Sequence, residues 1–170
     1  ACGFYRPHLP FVAPQKYWDL YPATEVALPE NRFFPHDLSR EFGYNWGELR
    51  SYRGIPQQGP VAEELARELI RGYRACVSYV DAQVGRVLDA LDKGPHAKDT
   101  IVVLFSDHGY HLGEKQRWSK FSLWERTTRV PLIISVPDGV EAKTDEPVEL
   151  LSIYPTLIEL CGLPANPKLE

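Results

Sequence analysis

Five consecutive apolar residues, Ile101 to Phe105, run directly into Ser106-Asp107-His108-Gly109. The run is too short for a buried helix and is rich in β-branched types. It reads as a strand buried on both faces, as in the middle of a parallel sheet. A carboxylate, an imidazole and a glycine then stand at the C-terminal edge of that strand, where open α/β sheets place their ligands. Arg129 to Pro137 reads as a second buried strand, with Pro131 near its start, where a missing donor is tolerated. Between and around the strands the periodicity turns helical. Val61, Leu65, Leu69, Tyr73, Cys76, Val80, Val84, Val87, Leu88 and Leu91 form one stripe. Pro60 suits the start of that helix, Glu63 and Glu64 suit its positive end, and Gly94-Pro95 stops it. Leu150 to Gly162 reads as a second amphipathic helix with Pro155 in its first turn. The expected fold class is therefore α/β, a mostly parallel central sheet flanked by helices, in one domain over residues 1–170.

Composition narrows the function classes. A chain of 170 residues, 44% hydrophobic, can build one sizeable core. Its net charge of −4 lacks the basic face that nucleic-acid binding needs, so no nucleic-acid partner is expected. No apolar run is long enough to span a bilayer, and nothing at the start reads as a signal peptide. The chain opens at Ala1 and contains no methionine, which reads as the mark of a fragment or a processed piece. Cys2, Cys76 and Cys161 show neither metal spacing nor an even-numbered disulfide framework, and Cys76 reads as a buried, inert thiol.

Ala1 to Phe4 looks like the end of a strand. Three prolines, Pro7, Pro10 and Pro14, then forbid a helix and favour a stiff, extended loop holding His8. His8 reads either as a surface histidine in a turn or as a side chain held in advance at a strand end. Residues 15–58 are irregular apart from a short helix at Lys16–Tyr21. The aromatics Phe33, Phe34, Phe42, Tyr44, Trp46 and Tyr52 either cover core surface or wall a pocket. Gly72 and Gly85 inside the long helix hint at close packing, and Asp81 reads as solvated or capping.

Asp107 supplies a hard oxygen and His108 a borderline nitrogen. In a regular strand they would face opposite ways, so shared use of one ion needs a backbone turn, which Gly109 permits. On ligand type alone the pair suits Zn²⁺ or Mn²⁺ better than Ca²⁺. The bland alternative is a turn with a capping aspartate. Lys120, between Trp118 and Phe121, has a partly desolvated stem that strengthens its pull on an anion; the alternative is a snorkelling surface lysine. With His8, it points to an anion held near a metal, sulfate and phosphate esters being the obvious candidates.

Ser106-Asp107-His108-Gly109-Tyr110-His111-Leu112-Gly113-Glu114, Trp118-Ser119-Lys120 and Thr128-Arg129-Val130-Pro131-Leu132-Ile133 together resemble the sulfatase family. Arg6-Pro7-His8-Leu9-Pro10-Phe11-Val12-Ala13-Pro14 and Ser78-Tyr79-Val80-Asp81-Ala82-Gln83-Val84-Gly85-Arg86 narrow the resemblance to the iduronate-2-sulfatase type. The resemblance implies part of an alkaline-phosphatase-like α/β sandwich and hydrolysis of a sulfate ester, on a sulfated small molecule or glycan such as a glycosaminoglycan. It implies a formylglycine nucleophile made from cysteine or serine, and one Ca²⁺. Asp107 and His108 match the second pair of calcium ligands. Lys120 matches a lysine that binds a sulfate oxygen. His8 matches a sulfate-contacting histidine that also assists the leaving group. His111 matches no family ligand; it is a substrate-binding candidate that either lines the pocket or does nothing. Lys115 stands where relatives often carry histidine. Export to a periplasm, an exterior or a lysosome follows from the resemblance alone.

The chain departs from the family where the nucleophile is concerned. Cysteine or serine followed by x-Pro-x-Arg is absent, and so is the Asp-Asp pair of the first strand. The expectation is the middle of a sulfatase, with little or no turnover when isolated. Two other readings stay open: a phosphatase or phosphonate monoester hydrolase of the same superfamily, and a truncated, non-catalytic binding module. Oligomeric state is left undetermined.

Overall fold

The computed structural model describes residues 1–39, 41 and 47–167. Phe42, Tyr44 and Trp46, candidates above for a pocket wall, lie outside the described residues. Two compact units divide the chain, Ala1–Pro137 and Asp138–Glu170.

The first unit is built on one long helix. Helix α1 is a single turn, Gln15–Trp18, shorter than the six residues expected, and α2 runs 30 residues over Glu63–Asp92. Pro60 stays outside α2, which starts at Glu63, because Ala62 still has extended backbone. Glu63 and Glu64 occupy its first turn, where the helix dipole favours negative charge. Ala66, Ile70, Gly72, Ala75 and Cys76 are its buried residues, so the packed face occupies the N-terminal half. Val87 and Leu88 at the other end are exposed, and Asp81 is solvated as expected. Gly72 explains its place in a helix: an added Cβ would lie 2.8 Å from the Trp18 ring and 3.0 Å from Phe11 Cβ. Gly85 has nothing within 4 Å, so the close-packing hint holds for only one of the two glycines.

Strands β1 (Val102–Phe105) and β2 (Leu132–Ser135) pair antiparallel, with Val103 opposite Ile134 and Leu104 opposite Ile133. Among the described residues this is a two-stranded sheet, not the doubly buried parallel strand expected. Phe105 is 51% exposed and Ile133 59%. An apolar run reports how much surface seeks burial; it carries no information on the direction of the neighbour or on which chain segment covers it. The α/β class itself stands. Helix α3, Glu125–Thr128, precedes β2 by a short link. Leu9, Val26, Leu49, Ala66, Ile70 and Trp118 form one buried apolar cluster in this unit.

In the second unit a 3₁₀ turn at Leu150–Ser152 leads into α4, Ile153–Leu160. Gly162 closes α4 at φ +63°, and the amide of Leu163 donates to the Ile158 carbonyl, a left-handed glycine cap. No helix of the described residues is long and apolar enough to cross a membrane.

Candidate active site

Three segments far apart in sequence bring charged groups to one place, and each is pinned by a core residue beside it. His8 precedes Leu9, Glu48 precedes Leu49, and Lys120 lies two residues past Trp118. Leu9, Leu49 and Trp118 are 3%, 2% and 3% exposed and share the apolar cluster. Burial of the anchors thus fixes the charged neighbours at its rim. Lys120 Nζ lies 2.7 Å from His8 Nε2 across 112 residues of chain. Glu48 completes the group, with Oε1 3.3 Å from His8 Nε2 and Oε2 3.7 Å from Lys120 Nζ.

The segment around His8 turns instead of running extended. The His8 amide donates to the Tyr5 carbonyl, and Arg6 Nη1 donates to the His8 carbonyl. Lys120 is held by its predecessors: the Tyr110 hydroxyl donates to the Trp118 carbonyl at 2.8 Å and the His111 amide to the Ser119 carbonyl at 3.0 Å. The Lys120 segment is thereby tied to the loop that follows β1.

That loop carries Asp107 and His108. The Asp107 carboxylate accepts from the His108 amide at 3.1 Å, and His108 Nδ1 lies 2.8 Å from the Gly109 carbonyl. A carbonyl only accepts, so Nδ1 carries the hydrogen and Nε2 keeps a lone pair, the tautomer a metal ligand needs. Nε2 lies 3.8 Å from Asp107 Oδ2. Asp107 is exposed and His108 half-buried, and the backbone bends at Asp107 itself, so the two side chains lie close together. They suit a divalent cation as two ligands of a larger set. Among the described residues no group of three or more His, Cys, Asp or Glu side chains gathers to hold an ion. Gly109 serves less for turning than for close approach: its amide donates to the Thr127 carbonyl, and an added Cβ would sit 2.1 Å from the Arg126 oxygen.

His111 stands apart from the His8–Lys120 pair. It is fully buried, with Nε2 3.2 Å from Ser122 Oγ, while Nδ1 has no hydrogen-bond partner and lies 3.9 Å from Glu114 Oε2. Glu114 is engaged by the Leu112 amide and by Arg126 Nε at 3.0 Å. A cavity of about 850 Å³ is lined by His108, His111, Glu114 and Arg126, with neither His8 nor Lys120 in its wall. Burial pushes the His111 imidazole from the ordinary 6.5 down to about 4, with Glu114 opposing and Arg117, Lys115 and Arg126 reinforcing. A base whose folded pKa is depressed loses folding stability as pH falls from the unfolded value through the folded one. The protein therefore loses on the order of 3 kcal/mol between pH 6.5 and 4 through His111. Urea unfolding across that window checks it. The His111→Asn variant should lack this component, and identical pH slopes for the two proteins would refute the assignment.

Glu48 was missed by sequence reasoning. It lies in the irregular 15–58 segment with no motif around it, and the one available signal was its adjacency to Leu49.

A sulfatase family profile matches residues 2–163. A sulfatase of Formosa agariphila is 44% identical, aligned over all of this chain and 33% of its own length. Iduronate 2-sulfatase of Mus musculus is 35% identical over 99% of this chain and 36% of its own. Among solved structures, a phosphonate monoester hydrolase from Silicibacter pomeroyi superposes with a TM-score of 0.77 at 26% identity, covering 92% of this chain and 32% of that one. The chain thus spans about a third of the length of the curated relatives it matches. With a family match over almost its whole length, the chain belongs to the sulfatase family.

Proposed function

We propose that this chain is the middle part of a sulfate-ester hydrolase of the iduronate-2-sulfatase type, acting on a sulfated glycan or small molecule. The observation that carries the reading is the convergence of His8 and Lys120, 2.7 Å apart, with the segment before Lys120 hydrogen-bonded to the loop that bears Asp107 and His108. Lys120, only 15% exposed at its side chain, supplies a charge that solvent screens weakly and so holds a sulfate oxygen firmly. His8 stands at the same anion, its Nε2 shared between Lys120 and Glu48. Asp107 Oδ2 and His108 Nε2 supply two ligands of a divalent cation, Ca²⁺ on family grounds, with Zn²⁺ or Mn²⁺ favoured by donor type. When bound, such a cation would neutralise charge on the sulfate. A formylglycine from a segment outside this sequence would provide the nucleophile. The exposed faces of β1 and β2 fit a piece whose sheet is covered by further chain. Export to a periplasm, an exterior or a lysosome belongs to the same reading.

A second reading, phosphonate or phosphate monoester hydrolysis, is favoured by the 0.77 superposition on the phosphonate monoester hydrolase. Both readings are tested by expressing the full open reading frame that contains these residues. It should encode Cys or Ser followed by x-Pro-x-Arg upstream of Ala1 and hydrolyse 4-nitrophenyl sulfate, whereas residues 1–170 alone should not. A threonine nucleophile, with 4-nitrophenyl phosphate or a phenylphosphonate ester preferred, would transfer the assignment to the second reading. A start codon immediately before Ala1 would remove the catalytic reading.

A further inference from the structure

His8 Nε2 is contested by two partners that want opposite things. His8 Nδ1 lies 2.8 Å from the Leu9 carbonyl oxygen, which only accepts, so Nδ1 carries a hydrogen in either charge state. In the neutral ring Nε2 therefore offers a lone pair, and Lys120 Nζ, 2.7 Å away, donates to it. In the imidazolium Nε2 becomes a donor, and an ammonium cannot accept. Glu48 Oε1, 3.3 Å away, can. Glu48 Oε2 meanwhile lies 3.7 Å from Lys120 and opposes its charge in both states. Neither the Tyr5 ring, centred 4.8 Å from the imidazole, nor the Arg6 guanidinium on the His8 carbonyl offers Nε2 an acceptor.

We propose that Glu48 is a positioning residue for proton transfer at His8, holding the acidic hydrogen on Nε2 by accepting from the imidazolium. The inference rests on reading His8 and Lys120 as the pair that meets the ester. As the S–O bond to the alcohol breaks under attack by an oxygen nucleophile, the departing oxygen keeps the bonding pair and takes the Nε2 proton. The N–H pair stays on Nε2, which then accepts from Lys120. Glu48 gains and loses no proton. Its charge stabilises the ring before transfer, and the lysine hydrogen bond stabilises it afterwards.

The discriminating variable is leaving-group basicity, because a poor leaving group needs the proton and a good one does not. The test compares full-length wild type, Glu48→Gln, Glu48→Asp and His8→Ala on 4-nitrophenyl sulfate and on an unactivated alkyl or sugar sulfate. In Glu48→Gln, kcat on the unactivated ester should fall on the order of 10²-fold and kcat on the nitrophenyl ester only a few-fold, as for His8→Ala. Glu48→Asp should recover part of the loss, with Tm unchanged across the set. Equal losses on both esters, or none, would overturn the role of Glu48 while leaving the sulfatase reading intact. A wild type that hydrolyses neither ester would overturn that reading and this inference with it.

Discussion

Lys120→Ala in the full-length protein lowers kcat/KM for a sulfate ester on the order of 10²- to 10³-fold, the range seen when one pre-placed stabilising donor is removed. The magnitude follows from three observations. The lysine side chain is only 15% exposed, so its charge acts through little water. Its backbone is held by Tyr110 and His111 on one side and by the Ser122 amide, which donates to the Lys120 carbonyl at 2.8 Å, on the other. The ammonium is therefore placed before substrate arrives, and little reorganisation is left for the reaction. Its removal also leaves Glu48 facing His8 alone, an excess of negative charge where an anion must bind. KM should rise along with the fall in kcat, because the charge binds the ground-state anion and holds the transition state more strongly still. Lys120→Arg keeps the charge but cannot place a single donor 2.7 Å from Nε2, so it should recover affinity more than turnover. Steady-state kinetics on 4-nitrophenyl sulfate decide this. Activity within a few-fold of wild type for Lys120→Ala would mean that the lysine is a snorkelling surface residue and that the anion sits elsewhere.

Local chemistry was legible in the sequence, and long-range pairing was not. Asp107-His108-Gly109 after an apolar run announces a carboxylate and an imidazole side by side at a strand end, because strand, carboxylate, imidazole and glycine are consecutive. Lys120 between aromatics announces a cation with a shielded stem for the same reason. The convergence of His8 on Lys120 rests on burial of Leu9 and Trp118 in one cluster, which no spacing encodes. Glu48 had no motif at all, since its position depends on Leu49 alone. The strand run misled in a defined way: five apolar residues specify a need for cover, and the cover found within this chain is one antiparallel neighbour. The glycines divide on the same ground, since helix periodicity places Gly72 and Gly85 alike and only the Trp18 and Phe11 side chains tell them apart.

Gly109→Ala should produce the largest loss of stability in the unit 1–137. A Cβ at this position would lie 2.1 Å from the Arg126 carbonyl oxygen, 3.0 Å from its carbon and 3.2 Å from Thr127 Cα. All three are backbone atoms, so no side-chain rotation relieves the clash. The Gly109 amide is bonded to the Thr127 carbonyl at 2.9 Å, so separating the two segments also breaks the bond that joins them. Overpacking a tight site costs about 1–3 kcal/mol when the neighbours can yield, and a rigid backbone neighbour places this case at or above the upper end. Displacement would carry Asp107 and His108 with it, because both lie within two residues of the clash. Divalent-cation affinity, read by calorimetric titration of the full-length protein, should fall together with Tm. Gly85→Ala is the matched comparison: nothing lies within 4 Å of its added Cβ, and in mid-helix alanine should stabilise by about 0.5–1 kcal/mol. Urea unfolding of the two variants should thus move in opposite directions. A Gly109→Ala protein as stable as wild type, with cation affinity intact, would show that the segment at 126–127 yields freely and that the glycine is not what sets the ligand pair.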